Sequence, residues 1–267
     1  MIKYPLLITG LVLFALNGML GGCSQTAHPS GARVPKERIV DQRIARDSVV
    51  AEGISGTYSI VAVDPETGVC GAAVASRLPG VGRVVPYVRA GVGAFCTQHA
   101  HNPPWGERAL DLLAAGKLPE GVLAELLRDD TGRDGRLLAI IDMKGRAVNR
   151  LPVGAGVDGV YGMSGLYYAC QGSLLTGREV IIAVAKAYEE TKGCLTDRLI
   201  AALVAGDKAG GDRRGRAAAG IRVARRGVKG YWLELQVTQS DDAVNELAKQ
   251  YAALKHEAKE PQEKPVK

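Results

Sequence analysis

The chain has 267 residues, a net charge of +6, and 46% hydrophobic against 23% charged residues. That balance excludes a wholly disordered protein, which could not bury a core. With only 5% aromatic residues beside so modest a basic excess, it also argues against a nucleic-acid partner, and the basic residues read as a solvated surface near anionic lipid.

Met1, Ile2 and Lys3 form a short n-region with one lysine, and Leu6 to Leu20 is almost wholly apolar. The run has signal-peptide length and falls short of the roughly 20 residues of a membrane span. It ends in Leu20-Gly21-Gly22-Cys23, which resembles a bacterial lipobox. Small residues there admit the processing peptidase, and Cys23 would carry the lipid as the new N-terminus. A plain secretory peptide with an incidental cysteine is the alternative. Ser24 stands where an aspartate would favour inner-membrane retention. The expected location is therefore exported and lipid-anchored, at the outer membrane or the periplasmic face, with the membrane as a partner through Cys23. Residues 1–22 read as the signal peptide, 23–56 as lipidated cysteine and flexible tether, 57–254 as one domain, and the Lys/Glu/Pro-rich 255–267 as a disordered tail.

Within the domain, Tyr58 to Asp64 is β-branched and apolar, and Asp64-Pro65-Glu66-Thr67-Gly68 is a turn, so Val69 to Ala75 returns as a second strand. Gly82 to Val88 and Ala90 to Thr97 predict another strand pair. Leucines at helical spacing predict helices over Trp105 to Ala115 and Pro119 to Arg128. Leu137 to Asp142 and Ala147 to Leu151 form a hairpin around Met143-Lys144-Gly145-Arg146. After a Gly-rich stretch, Tyr167 to Cys170 is extended. Helices come next over Gly177 to Glu190 and Leu195 to Ala205, then strands over Arg216 to Arg225 and Tyr231 to Val237, and a helix over Asp241 to Leu254. Hairpins alternating with helix pairs predict an α+β fold: two antiparallel sheets between two helix layers, not βαβ units.

Several motifs lose their chemistry in context. Gly154-Ala155-Gly156-Val157-Asp158-Gly159 has the letters of a dinucleotide fingerprint, but the segment from Val160 to Gly165 cannot open the helix that such a site needs. His99 and His101 would share a strand face as metal ligands sometimes do, yet Asn102-Pro103-Pro104 ends any strand and no third histidine is near, so no metal is expected. Cys70, Cys96, Cys170 and Cys194, spaced 26, 74 and 24 apart, match no zinc pattern. An exported chain permits disulfides among them, but three lie in strand-like apolar runs that favour buried free thiols. Arg213, Arg214 and Arg216, after Gly210-Gly211-Asp212, either grip a carboxylate or phosphate or sit on a solvated loop.

From Thr57 onward the chain resembles the bacterial family DUF1028. The resemblance is carried in order by TYSIVAVDPETG (Thr57 to Gly68), GAAVASR (Gly71 to Arg77), VGRVVPYVRAGVGAFCTQ (Val81 to Gln98), GERALDLLAAG (Gly106 to Gly116), ACQGSLLTG (Ala169 to Gly177) and GGDRRGR (Gly210 to Arg216). That family is similar to the N-terminal-nucleophile hydrolases, which implies a four-layer αββα sandwich and a Thr, Ser or Cys at the start of the mature catalytic chain. The side chain of that residue attacks an amide while its own α-amine, near pKa 8, takes the proton, with no cofactor.

Thr57 matches the nucleophile position, so the resemblance implies cleavage of Gly56–Thr57, which would also free the domain from Cys23. It further implies Arg77 orienting nucleophile or substrate, Asp212 assisting, and Thr97, Gln98, Gln171, Ser173 and Arg213 lining the cleft for a small amide substrate. The chain departs from the family pattern at Ser173, where an Asn is expected, and at Ala217-Ala218, where Gln-Ser is. Those losses keep a second reading alongside the hydrolase: a catalytically silent, surface-tethered binding or scaffold protein. Association into a homo-oligomer is left open.

Overall fold

A computed structural model describes residues 56–154 and 158–257. The expected signal peptide, the lipidated Cys23 with nearly all of its tether, the centre of the Gly-rich motif and the end of the tail lie outside the described residues.

β1 (Thr57–Asp64) and β2 (Val69–Ser76) form the opening hairpin. Asp64 accepts the backbone N–H groups of Glu66 and Thr67 at 3.1 and 3.3 Å, which fixes the turn. Pairing then runs from Asp64 opposite Val69 to Thr57 opposite Ser76.

The next segment corrects the expected strand. Val81–Val84 is a short helix, α1. Val81, Val84 and Val85 are buried at helical spacing, and Gly80 (φ 72°) supplies the left-handed entry. Pro86 cannot continue a helix and opens β3 (Pro86–Arg89). Then come β4 (Gly93–His99), α2 (Trp105–Ala114), α3 (Pro119–Leu127), β5 (Arg136–Asp142) and β6 (Ala147–Arg150), close to their predicted places.

A second correction concerns the Gly-rich stretch, part of which is a strand, β7 (Tyr161–Gly165). Its glycines make room for neighbours: an added Cβ would lie 2.8 Å from Leu151 Cδ2 at Gly162 and 2.7 Å from Tyr168 Cζ at Gly165. β8 (Tyr168–Gly172), α4 (Glu179–Glu190), α5 (Leu195–Lys208), β9 (Ala218–Arg225), β10 (Leu233–Val237) and α6 (Ala243–Glu257) complete the chain.

The strands make two antiparallel sheets, one ordered β10-β9-β2-β1-β8-β7 and the other β3-β4-β5-β6. Strand alternation sorts the side chains into three cores. Tyr58, Ile60, Ala73 and Ile221 face α4, α5 and α6. Val61, Val63, Cys70, Ala72 and Val74 meet Ala94, Cys96, Ala139 and Ile141 between the sheets. Phe95, Leu138 and Ile140 face α2 and α3. The result is the expected α+β four-layer αββα sandwich. Cys70, Cys96, Cys170 and Cys194 are free thiols. Burial pushes the first three up to about 12, so they behave as small apolar side chains.

One close approach fixes α1 against the larger sheet. A Cβ added to Gly220 of β9 would lie 2.5 Å from the Gly82 Cα. Backbone cannot move aside as a side-chain tip can, so Gly220→Ala is expected to destabilise by about 2 kcal/mol. In a thermal melt that appears as a fall of about 5 °C. An unchanged melt would show that the two backbones separate without penalty.

Candidate active site around Thr57

The first turn of β1 carries polar side chains into a layer that is otherwise apolar. By alternation, Thr57 and Ser59 point between the sheets, with Val61 and Val63 continuing the same face. Thr57 and Ser59 are fully buried. Thr57 Oγ1 donates to Ser76 Oγ at 2.9 Å, and Ser76 Oγ donates to the Gly56 carbonyl at 3.0 Å. Leu78 N–H donates to Ser76 Oγ at 3.0 Å, holding that hydroxyl in place. Ser59 Oγ donates to Gln98 Oε1 at 2.5 Å, and Gln98 Nε2 donates to the Thr57 carbonyl at 2.9 Å. Gln98 thereby ties the second sheet to the start of β1.

The opposite flank comes from the ends of β8 and the loop before β9. Ser173 N–H donates to the Thr57 carbonyl at 3.0 Å, and Gly56 N–H donates to Ser173 Oγ at 3.3 Å. Asn149 Nδ2 donates to Gln171 Oε1 at 3.3 Å, while the buried Gln171 Nε2 finds no acceptor among the described residues. Arg214 Nη2 donates to the Gly56 carbonyl at 3.3 Å. Its guanidinium is held by the buried Asp212, through Nε at 3.1 Å and Nη2 at 2.9 Å. Asp212 also accepts the backbone N–H groups of Arg77 and Arg214, each at 3.0 Å.

The carbonyl of the Gly56–Thr57 peptide thus receives two donors, one of them cationic, beside a threonine hydroxyl. Donors placed on a carbonyl oxygen stabilise the negative charge that develops there when a nucleophile adds. Gly56 is obligatory in this arrangement. Its φ is +70°, and an added Cβ would fall on the guanidinium, 2.5 Å from Arg214 Cζ.

The family model described as a family of unknown function, DUF1028, matches residues 57–247. The chain is a member of the DUF1028 family. Its first matched residue is Thr57, where the buried polar cluster begins. A DUF1028 protein from Silicibacter pomeroyi has a crystal structure that is 28% identical, with a TM-score of 0.68 over 74% of this chain and 85% of that one. Anbu (ancestral beta-subunit) from Yersinia bercovieri is 12% identical over 78% of this chain and 99% of its own, with a TM-score of 0.36. Anbu from Hyphomicrobium sp. strain MC1 is 11% identical over 78% and 100%, also at 0.36. A search of the curated proteins found no match.

In this DUF1028 chain the residues singled out from sequence divide in two. Thr57, Gln98, Gln171, Ser173 and Asp212 come together. Thr97 does not: it neighbours Gln98 on β4, so alternation turns it to the face it shares with Phe95, where its Oγ1 accepts from Asn102 N–H at 3.4 Å. Arg77 braces the loop instead of Thr57, its Nη1 donating to the Arg214 carbonyl at 2.9 Å. Arg213 pairs with Asp158 at 2.6 Å and lines the neighbouring cleft, so Arg214 is the arginine of the triplet that reaches Gly56.

Ser59, Ser76 and Asn149 belong to the cluster without having been singled out. Ser76 was accessible from the hairpin register, since Asp64 opposite Val69 puts residue 76 opposite Thr57.

A cleft of about 190 Å³ opens beside the cluster, with Ser76 and Asp212 in its wall. Across it stand Thr176, Asp207, Arg213 and Arg216, with Arg216 Nε 3.1 Å from Asp207 Oδ1. Burial pushes the Asp207 carboxyl up from the usual range, against the pull of Arg216.

Proposed function

We propose that the chain is an amide-bond hydrolase of the N-terminal-nucleophile type, with Thr57 as nucleophile and, once its amine is free, as base. The observation that carries this reading is the Gly56 carbonyl held by Ser76 Oγ and Arg214 Nη2 beside the Thr57 hydroxyl. In the precursor, Thr57 Oγ1 adds to the Gly56 carbonyl carbon, the C–N bond breaks, and the hydroxyl proton ends on the Thr57 nitrogen. Water then hydrolyses the ester, leaving the Gly56 carboxylate and a chain that starts at Thr57 with a free α-amine.

In turnover the same hydroxyl attacks a small amide, and the α-amine, near pKa 8, relays the proton to the leaving amine. Ser76 and Arg214 stabilise the oxyanion, Gln98 and Ser173 hold the Thr57 backbone, and Asp212 positions Arg214. A substrate acceptor would satisfy the buried Gln171 Nε2. In the cell the precursor is exported and tethered through lipid on Cys23, so cutting at Gly56 releases the domain.

A second reading, a silent surface-tethered binding protein, is favoured by the complete burial of Thr57 while residue 56 is attached. Intact-mass spectrometry of protein from membranes and from the soluble exported fraction separates the two. A species starting at Thr57 in wild type and lost in Thr57→Ala is expected. Full-length lipidated protein alone would sink the hydrolase and leave the silent protein.

A further inference from the structure

We infer that the hydrolase acts on glycyl-type amides, whose acyl group has an unsubstituted α-carbon and carries an N–H beyond it. The inference rests on Thr57 being the nucleophile, as proposed above. Its basis is that the bond between Gly56 and Thr57 is an amide already lying in the site. When Thr57 Oγ1 adds to the Gly56 carbonyl and the C–N bond breaks, the product is a glycyl ester on Oγ1 beside a free amine. A glycyl amide attacked in trans gives the same linkage: C–O forms, C–N breaks, and the leaving amine departs with the proton. Water hydrolyses both esters to a carboxylate and the restored hydroxyl. The surroundings of Gly56 therefore describe the acyl side of the substrate site.

Those surroundings are specific. The acyl oxygen sits between Ser76 Oγ at 3.0 Å and Arg214 Nη2 at 3.3 Å. The N–H on the far side of the α-carbon donates to Ser173 Oγ at 3.3 Å. The position of a Cβ is taken by the Arg214 guanidinium, with Cζ at 2.5 Å and Nε at 2.6 Å. That guanidinium cannot swing aside cheaply, because two of its nitrogens are bonded to the buried Asp212. The backbone at residue 56 is also left-handed, at φ +70°, which an L side chain resists. Arg214 thus does two things at once: it polarises the carbonyl and excludes an α-substituent. The Ser173 hydroxyl, standing where relatives are expected to carry an Asn, selects an acyl group that can donate a hydrogen bond.

The test uses wild-type protein shown by intact mass to start at Thr57, its live nucleophile counted by covalent capture with a β-lactone. Hydrolysis of acetyl-glycyl-p-nitroanilide is then compared with that of acetyl-L-alanyl-p-nitroanilide. The glycyl substrate is expected to be favoured in kcat/KM by about 100-fold, the discrimination a blocked methyl group gives. In Arg214→Lys, whose compact head cannot span both Asp212 oxygens, both rates per captured Thr57 are expected to fall with the weakened oxyanion contact, the glycyl rate further, so that the ratio drops below about tenfold. Equal turnover of the two anilides in wild type would overturn the inference and leave the hydrolase standing. So would capture of Thr57 with turnover of neither. Absence of both the Thr57 start and the capture would instead sink the hydrolase, and this specificity with it.

Discussion

Replacing Asp212 by alanine is expected to lower stability by about 3 kcal/mol and to leave the Gly56–Thr57 bond uncut. Asp212 is 5% exposed and accepts four bonds in a short span: the Arg77 and Arg214 backbone N–H groups, and Nε and Nη2 of Arg214. Alanine strands two backbone donors in a part-buried loop and releases a guanidinium. Breaking a buried pair costs about 3–5 kcal/mol, and the lower end applies because the Arg214 side chain is 37% exposed and can turn to water. The melt should fall by about 10 °C for a domain of this size.

The chemical consequence is separable from the thermal one. Without its carboxylate, Arg214 no longer stays on the Gly56 carbonyl, and losing one such donor costs about 10²–10³ in rate. Asp212→Asn keeps the shape and one acceptor, so it should melt nearer wild type while cleaving slowly. Intact mass against time, at a temperature where all three proteins are folded, reads the second effect alone. Cleavage of Asp212→Ala at the wild-type rate would detach the Arg214 clamp from the chemistry.

Much of this arrangement was legible in the chain, and the limits have physical causes. The β1–β2 hairpin could be read because Asp64-Pro65-Glu66-Thr67-Gly68 is a local turn whose chemistry needs no distant partner. Its register then locates Ser76 opposite Thr57, a step that only counting was needed to take. α1 was concealed because a β-branched run suggests a strand, whereas the burial of Val81, Val84 and Val85 keeps to helical spacing. β7 was concealed because Gly162 and Gly165 have no strand preference of their own. They are required by the bulk of Leu151 and Tyr168, which approach from elsewhere in the fold.

The site was harder for the same reason. Thr97 and Gln98 are adjacent, and a strand sends one to each face. Only the packing of the second sheet on β1 decides that Gln98 meets Ser59 and the Thr57 carbonyl. In the same way, Arg214 is distinguished from Arg213 by where Asp158 and Asp212 stand, not by the run of arginines itself.

Stability should also fall as acid is added, in part through His101. Burial pushes the His101 ring down to about 4, and Arg136 adds to that against the opposing hydrogen bond to Val84. Nε2 lies 2.8 Å from the Val84 carbonyl, so that nitrogen carries the proton and donates. Nδ1 is buried without a partner among the described residues. A second proton on the ring would have to sit there, in a part-buried pocket beside a guanidinium.

The unfolded chain takes up that proton near pH 6.5 and the folded one only near 4, so between those values the unfolded state binds more protons. The contribution of His101 is therefore whole above pH 6.5 and is lost as pH falls through 4, to a total of about 3 kcal/mol. Carboxylates held below their usual range, such as Asp130 beside Arg136, lose their share at lower pH and are common to wild type and variant. His101→Gln keeps an N–H donor for Val84 and cannot titrate. Denaturant unfolding from about pH 7.5 to about 4.5 should give a wild-type curve that falls away from the His101→Gln curve. Two parallel curves would mean that the ring charges in place, and that Nδ1 finds an acceptor when it does.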